Sequence, residues 1–156
     1  MQSNMKILFN QTEIQGMVAN IAKQLNNDYK DKESIPVLCP VLSGAAMFAN
    51  DLMKQLDFKY TVSYCKYSSY EGTQCTELKE ILPIPQISQD RDIIIIEDLI
   101  DTGQTISNLV TTLKERGNNV KICALFSKPS KHTQSVESLI NYKGSDIEDK
   151  FIIGDR

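Results

Sequence analysis

Ile93-Ile94-Ile95-Ile96-Glu97-Asp98-Leu99-Ile100-Asp101-Thr102-Gly103-Gln104-Thr105 is the stretch on which the reading of this chain turns. Four consecutive isoleucines make a strand that is apolar on both faces, the signature of a central strand in a parallel sheet. Two carboxylates, Glu97 and Asp98, follow at its carboxyl end, and a third, Asp101, precedes a Thr-Gly-x-Thr turn that opens a helical pattern. In open α/β sheets, ligands bind at the carboxyl ends of strands. A turn there that leads into a helix offers backbone N–H groups and the positive end of a dipole, which suit a phosphate. Carboxylates beside a phosphate cradle make sense if one ligand carries phosphate, sugar hydroxyls and a divalent cation together. The carboxylates accept hydrogen bonds from hydroxyls and metal-bound water, while the backbone holds the phosphate.

Outward from this stretch, helical and strand patterns alternate. Thr12 and Gln15 read as a capping box, and Ile14, Met17, Val18, Ile21, Ala22 and Leu25 recur at helical spacing, which predicts a helix over about 13–29. Residues 37–42 read as a buried strand, although Pro40 cannot donate to a ladder. Ser43-Gly44 makes a turn into a second helix, 45–56, with Met47, Phe48, Leu52 and Leu56 on its buried side. Phe58, Tyr60, Val62 and Tyr64 alternate as a further strand. Residues 68–88 are polar with two prolines and read as an excursion with the character of a loose hairpin. After the isoleucine strand, Ile106, Leu109, Val110 and Leu113 mark a helix with Gly117 suited to its C-cap. Residues 120–126 read as a strand broken by Lys128-Pro129-Ser130, and short strands are expected near 139–142 and 150–153. This alternation implies a doubly wound parallel sheet with right-handed crossovers.

Composition bounds the function. A chain of 156 residues fits a single domain, here 1–156, with a core of its own. A net charge of −3 without basic runs argues against a nucleic-acid or anionic-membrane surface, so an anionic substrate must be held by local devices. Cys39, Cys65, Cys75 and Cys123 show no Cys-x-x-Cys spacing, and three of them lie in apolar stretches where a reduced core thiol is expected. The one histidine, His132, has no ligand-spaced partner for zinc. No signal-peptide core or membrane-length stretch is visible, so the cytoplasm is the expected compartment.

The segment 97–105 resembles the phosphoribosyl-pyrophosphate motif of the type I phosphoribosyltransferases. Its form, Glu-Asp-x-Ile-Asp-Thr-Gly-x-Thr, is most similar to the hypoxanthine-guanine branch. Further segments extend the resemblance over nearly the whole chain. Leu42-Ser43-Gly44 matches the loop that binds pyrophosphate through backbone amides, with Ser43 where the family usually has Lys, Arg or Asn. Ser68-Ser69-Tyr70, with Glu71-Gly72 behind it, resembles a mobile catalytic loop. Lys128 matches the lysine that donates to the exocyclic oxygen at purine C6, and Phe151-Ile152 matches the base-binding stretch, with Phe151 stacking and Ile152 meeting the base edge through its backbone.

The resemblance implies an α/β fold of the type I phosphoribosyltransferase kind, a parallel sheet flanked by helices, with a small hood. It also implies transfer of 5-phosphoribose from phosphoribosyl pyrophosphate to hypoxanthine or guanine, forming a purine nucleotide and pyrophosphate in purine salvage. Asp101 is the expected general base. Glu97 and Asp98 are expected at the ribose hydroxyls and Mg²⁺, directly or through water, and Thr102, Gly103, Gln104 and Thr105 at the 5′-phosphate. Relatives continue past Gly154 with Tyr-x-x-Asp and a tail; this sequence reads Asp155-Arg156 there, so a truncated hood is expected, with Asp155 a candidate metal ligand. A homodimer or homotetramer is expected. Two alternatives stay open: a phosphoribosyltransferase for another base, xanthine or a pyrimidine, and a non-catalytic regulator that senses phosphoribosyl pyrophosphate. A flavodoxin-like binding domain would have no need of Thr-Gly-x-Thr.

Overall fold

The isoleucine run lies at the centre of the sheet. In a computed structural model, which describes residues 9–42, 44–69, 78–82, 91–101, 103–129 and 134–148, it falls within β5 (Asp92–Ile100), and all four isoleucines are fully buried. β5 lies between two parallel neighbours, β1 (Val37–Leu42) and β6 (Asn119–Ser127). β2 (Thr61–Val62) and β3 (Cys65–Ser69) pair with the far side of β1, β4 (Leu78–Leu82) with β3, and β7 (Ile140–Asp146) with β6. The sheet order is β4-β3-β1-β5-β6-β7, with β2 paired to β1. Among the described residues every pairing is parallel except β3 with β4, which form the hairpin expected in the polar excursion.

Helices cover both faces, which is why the central strand is apolar throughout. Ile94 and Ile96 share a core with Ile21 and Leu25 of α1 (Gln11–Tyr29) and with Phe48 and Leu52 of α2 (Ala46–Met53). Ile93 and Ile95 share the other core with Ile106, Leu109 and Leu113 of α3 (Gln104–Glu115) and Val136 of α4 (Gln134–Leu139). Full burial of such a side chain is worth about 1.5–3 kcal/mol. No helix among the described residues is long and apolar enough to cross a membrane.

Pro40 is tolerated because the ladder has a gap where it stands. The Ser63 N–H donates to the Leu38 carbonyl at 2.9 Å, so even-numbered positions of β1 turn their backbone toward β2 and β3. Pairing on that side stops at Leu38 with Val62 and resumes at Val41 with Cys65. Position 40 therefore has no ladder bond to lose on that side.

Several boundaries differ from expectation. α1 begins at Gln11, and its capping box is Asn10 with Glu13, not Thr12 with Gln15. Asn10 Oδ1 accepts from the Glu13 N–H at 2.8 Å, and Glu13 Oε1 accepts from the Asn10 N–H at 2.9 Å. Phe9 and Ile14, one residue before the cap and four after it, pack on the same core and set this phase. α2 ends at Met53, earlier than position 56, because Asn26 clamps the exit: its amide donates to the Gln55 carbonyl and accepts from the Asp57 N–H. Its buried face is Ala45, Phe48, Ala49 and Leu52, and Met47 is 78% exposed. The alternating run 58–64 supplies only the two-residue β2, and Tyr64 is exposed. α3 ends at Glu115 with Arg116 as its C-cap, and Gly117, expected at the cap, follows one residue later with φ 94° and forms a Schellman pair of bonds, Gly117 N–H to Lys114 and Asn118 N–H to Leu113. α4 was not anticipated. The strand expected near 150–153, and the hood, lie outside the described residues.

Candidate active site

The chain order around β1 and β5 opens a crevice between them. From β1 the chain moves to β2, β3 and β4 on one side; from β5 it moves to β6 and β7 on the other. The reversal falls between β1 and β5, and α2 and α3 leave these strands toward opposite faces. That switch point is where open α/β sheets hold ligands. A cleft of about 290 Å³ lies there, lined by Gly44 just past β1, by Glu97, Asp98 and Asp101 at the end of β5, and by Gly103 and Thr105 at the start of α3. Val41, Leu42, Leu99, Ile100 and Ile106 complete its walls.

The end of β5 does not keep the strand's alternation. Ile94 and Ile96 face the α1–α2 core, yet Leu99, an odd-numbered residue, packs against that same core, and Ile100 joins the opposite one. The phase changes at Glu97-Asp98, where the Asp98 N–H is bonded by the Glu97 side chain at 3.1 Å. A strict period of two would send adjacent carboxylates to opposite faces. With the phase broken, both line one cleft. Asp98 also meets Gly44: a β-carbon on Gly44 would stand 3.0 and 3.1 Å from the two carboxylate oxygens. The ends of β1 and β5 touch through a glycine because a larger residue would press on that carboxylate.

The turn after Asp101 is built for close approach. Gly103 is the N-cap residue of α3, with φ 86°, and makes no side-chain cap bond of its own. A left-handed residue here favours glycine. The first helical bond, from the Ser107 N–H to the Gly103 carbonyl at 2.9 Å, leads into α3, and its first turn carries no acidic residue. The dipole end of α3 therefore faces the cleft with a positive partial charge.

Glu97, Asp98, Asp101, Gly103, Thr105 and Gly44, all expected at the site, meet in this cleft. Gln104 opens α3 beside it and is exposed. Lys128 stands next to the cleft, outside its lining; its N–H donates to the Ile100 carbonyl at 3.0 Å, which ties the residue after β6 to the end of β5. Ser69 ends β3. Ser43, Tyr70, Thr102, Phe151, Ile152 and Asp155 lie outside the described residues. Among the described residues, no group of three or more His, Cys, Asp or Glu side chains forms a metal cage. Val136 was missed: α4 brings it against Gly103. Its signal was the spacing of Val136, Leu139 and Ile140, short enough to pass for a strand.

The phosphoribosyl transferase domain family matches residues 5–154. A hypoxanthine-guanine phosphoribosyltransferase of Streptococcus pyogenes is 34% identical over 156 residues, covering 98% of this chain and 84% of that protein. One of Staphylococcus aureus is 32% identical over 153 residues, covering 96% and 83%. A crystal structure of a Staphylococcus aureus hypoxanthine phosphoribosyltransferase superposes with a TM-score of 0.84 at 30% identity, covering 94% of this chain and 79% of that one.

Proposed function

The chain belongs to the phosphoribosyl transferase family, in its hypoxanthine-guanine branch, and we propose that its cleft joins a 6-oxopurine to C1′ of phosphoribosyl pyrophosphate, releasing pyrophosphate. The observation that carries this reading is the meeting of three carboxylates and a helix start with a left-handed glycine at its N-cap, at the switch point of the sheet. A sugar phosphate that must be held at both its hydroxyls and its phosphate needs that combination.

Each residue then has a task. The backbone of 103–105 holds the 5′-phosphate, and the Thr105 hydroxyl adds a donor; Thr102 has the same role. Glu97 and Asp98 accept from the ribose hydroxyls. Asp101 takes the proton from purine N7 as the base attacks C1′. Ser43 and Gly44 offer backbone amides to the departing pyrophosphate, a preorganised stabilisation of developing charge. Lys128 donates to O6 of the purine, Phe151 stacks on the ring and Ile152 meets its edge. Ser69, at the end of β3 where the resemblance implied a loop, and Tyr70 after it help to exclude water from the bound substrates. Glu97 and Asp98 are hard oxygen donors, and they suit Mg²⁺, which is held by one or two carboxylates together with substrate phosphates. When bound, it neutralises charge on the pyrophosphate. Asp155 is a further candidate ligand, and the cytoplasm is the proposed compartment.

The test is a turnover assay with phosphoribosyl pyrophosphate, Mg²⁺ and each base in turn. Turnover with hypoxanthine or guanine is expected. Turnover confined to xanthine or a pyrimidine would move the assignment to another base, and binding without turnover would make the chain a sensor.

A further inference from the structure

Val136 fills the space that a side chain at position 103 would need. A β-carbon on Gly103 would lie 2.7 Å from one Val136 methyl carbon and 3.1 Å from the other. Carbon atoms pack favourably only from about 3.5 Å. Val136 is 5% exposed and shares its core with Ile100 and Ile106, one on each side of the turn. Gly103 is left-handed and, as the N-cap residue of α3, has no side chain to make the usual N-cap hydrogen bond. What lies beneath it is a β-branched side chain on a helix, a group with essentially one rotamer. α4, which carries this group, follows the Lys128 segment and leads into β7. The base side of the cleft thus supplies the support for the phosphate side.

We propose that Val136 is a positioning residue for the phosphate end of the reaction: its isopropyl group is the floor that holds Gly103 in its left-handed turn and so aims the amides at the start of α3. The inference rests on the reading of residues 103–105 as the 5′-phosphate cradle. Truncation to alanine removes both methyl groups and lets the turn settle toward α4, away from the phosphate. A misplacement of about 1 Å at a binding group can cost on the order of a hundredfold. The loss falls on an interaction made equally in ground and transition states, so it appears in KM for phosphoribosyl pyrophosphate and not in kcat. KM for the purine stays near its original value, because Lys128 is anchored through the Ile100 carbonyl.

The experiment combines backbone amide shifts on addition of ribose 5-phosphate with affinity and kinetics for Val136→Ala, Val136→Thr and Val136→Leu. Threonine keeps the branch at Cβ; leucine keeps apolar character but moves the branch outward. The expected result is a shift of the 103–105 amides in the unmodified protein. Ribose 5-phosphate affinity should fall, and KM for phosphoribosyl pyrophosphate rise, by about tenfold or more in the alanine and leucine variants. The threonine variant should stay within about threefold. If the amides shift but Val136→Ala binds ribose 5-phosphate as tightly as the unmodified protein, the inference is overturned and the cradle reading stands. If Val136→Thr loses as much as Val136→Ala, apolar packing is the cause and the floor role is wrong. Should Val136→Ala fail to fold, unchanged affinity in Val136→Leu overturns the inference equally. If ribose 5-phosphate shifts other amides and leaves 103–105 alone, the cradle reading falls and the inference with it.

Discussion

Asp101 stands one residue past the end of β5, exposed at the mouth of the cleft, where it can meet a base that arrives from solvent. Asp101→Asn keeps shape and hydrogen bonding but removes the proton acceptor. Turnover is expected to fall by about 10²–10⁴, the usual contribution of a positioned acid or base, while phosphoribosyl pyrophosphate binding changes less. Steady-state kinetics beside a direct binding measurement separates the two, and near-normal turnover takes Asp101 out of the mechanism. Lys128 makes a prediction about choice. A donor at purine O6 accepts hypoxanthine or guanine and opposes adenine, whose 6-amino group leaves the ammonium unpaired at a cost of roughly 1–3 kcal/mol or more. Efficient turnover of adenine, or unchanged base affinity in Lys128→Ala, would count against that role. The buried thiols have no place in this chemistry. Cys39 and Cys65 stand 3.5 Å apart, sulfur to sulfur; the hydrogen bond between them and then burial hold the Cys39 thiol well above its usual range, and burial does the same for Cys123.

At the scale of elements, the start of α1 separates two readings of one sequence. Asn10 caps the helix and Thr12 lies inside its first turn. Asn10→Ala should lower stability by about 1 kcal/mol, and Thr12→Ala should stay within about 0.5 kcal/mol. Urea unfolding of the two variants measures both, and a reversed order would restore the Thr12 cap. The same comparison shows what was legible. Ile93 to Ile96 identify a central strand because nothing else buries four isoleucines in succession, and the 97–105 motif leads to the cleft because strand, turn and helix are adjacent in sequence. Less was legible where distant residues decide. Two capping boxes overlap at positions 10–15, and only the packing of Phe9 and Ile14 chooses between them. Met47 looks buried by composition, but the inward face follows Ala45, Ala49 and Leu52. Asn26, inside α1, is a clamp on a turn remote in sequence. The support from Val136 is a contact between segments, which no local pattern encodes.

Across the whole molecule, the end of the sheet opposite the cleft holds a polar cluster that ties α1 to β5 and β6. The Tyr29 hydroxyl donates to Asp92 at 2.7 Å, Asn119 donates to it at 3.1 Å, and Lys32 stands 4.0 Å away. Burial alone would raise the Asp92 carboxyl. The hydrogen bonds from Tyr29 and Asn119, with the charges of Lys32 and Lys121, outweigh it and hold the group below its ordinary value. A carboxylate depressed in the folded state binds protons less readily there than in the unfolded chain. Its contribution is therefore complete above the ordinary carboxylate value of 3.8 and is lost as pH falls through the lower folded value. The tyrosine acts at the other limb. Burial first, then the bond to Asp92, pushes the Tyr29 hydroxyl far above its ordinary value of 10.0, so its contribution is complete below that pH and drains away above it. Asp92→Asn should flatten part of the fall in stability below about pH 4, and Tyr29→Phe part of the fall above about pH 10. Both variants should keep the KM for phosphoribosyl pyrophosphate, because the cluster sits at the far end of β5 from the cleft. Urea midpoints measured from acid to alkaline pH, with kinetics at neutral pH, test this. An unaltered acid limb in Asp92→Asn, or a KM that moves with it, would mean that the two ends of the sheet do not work separately as described.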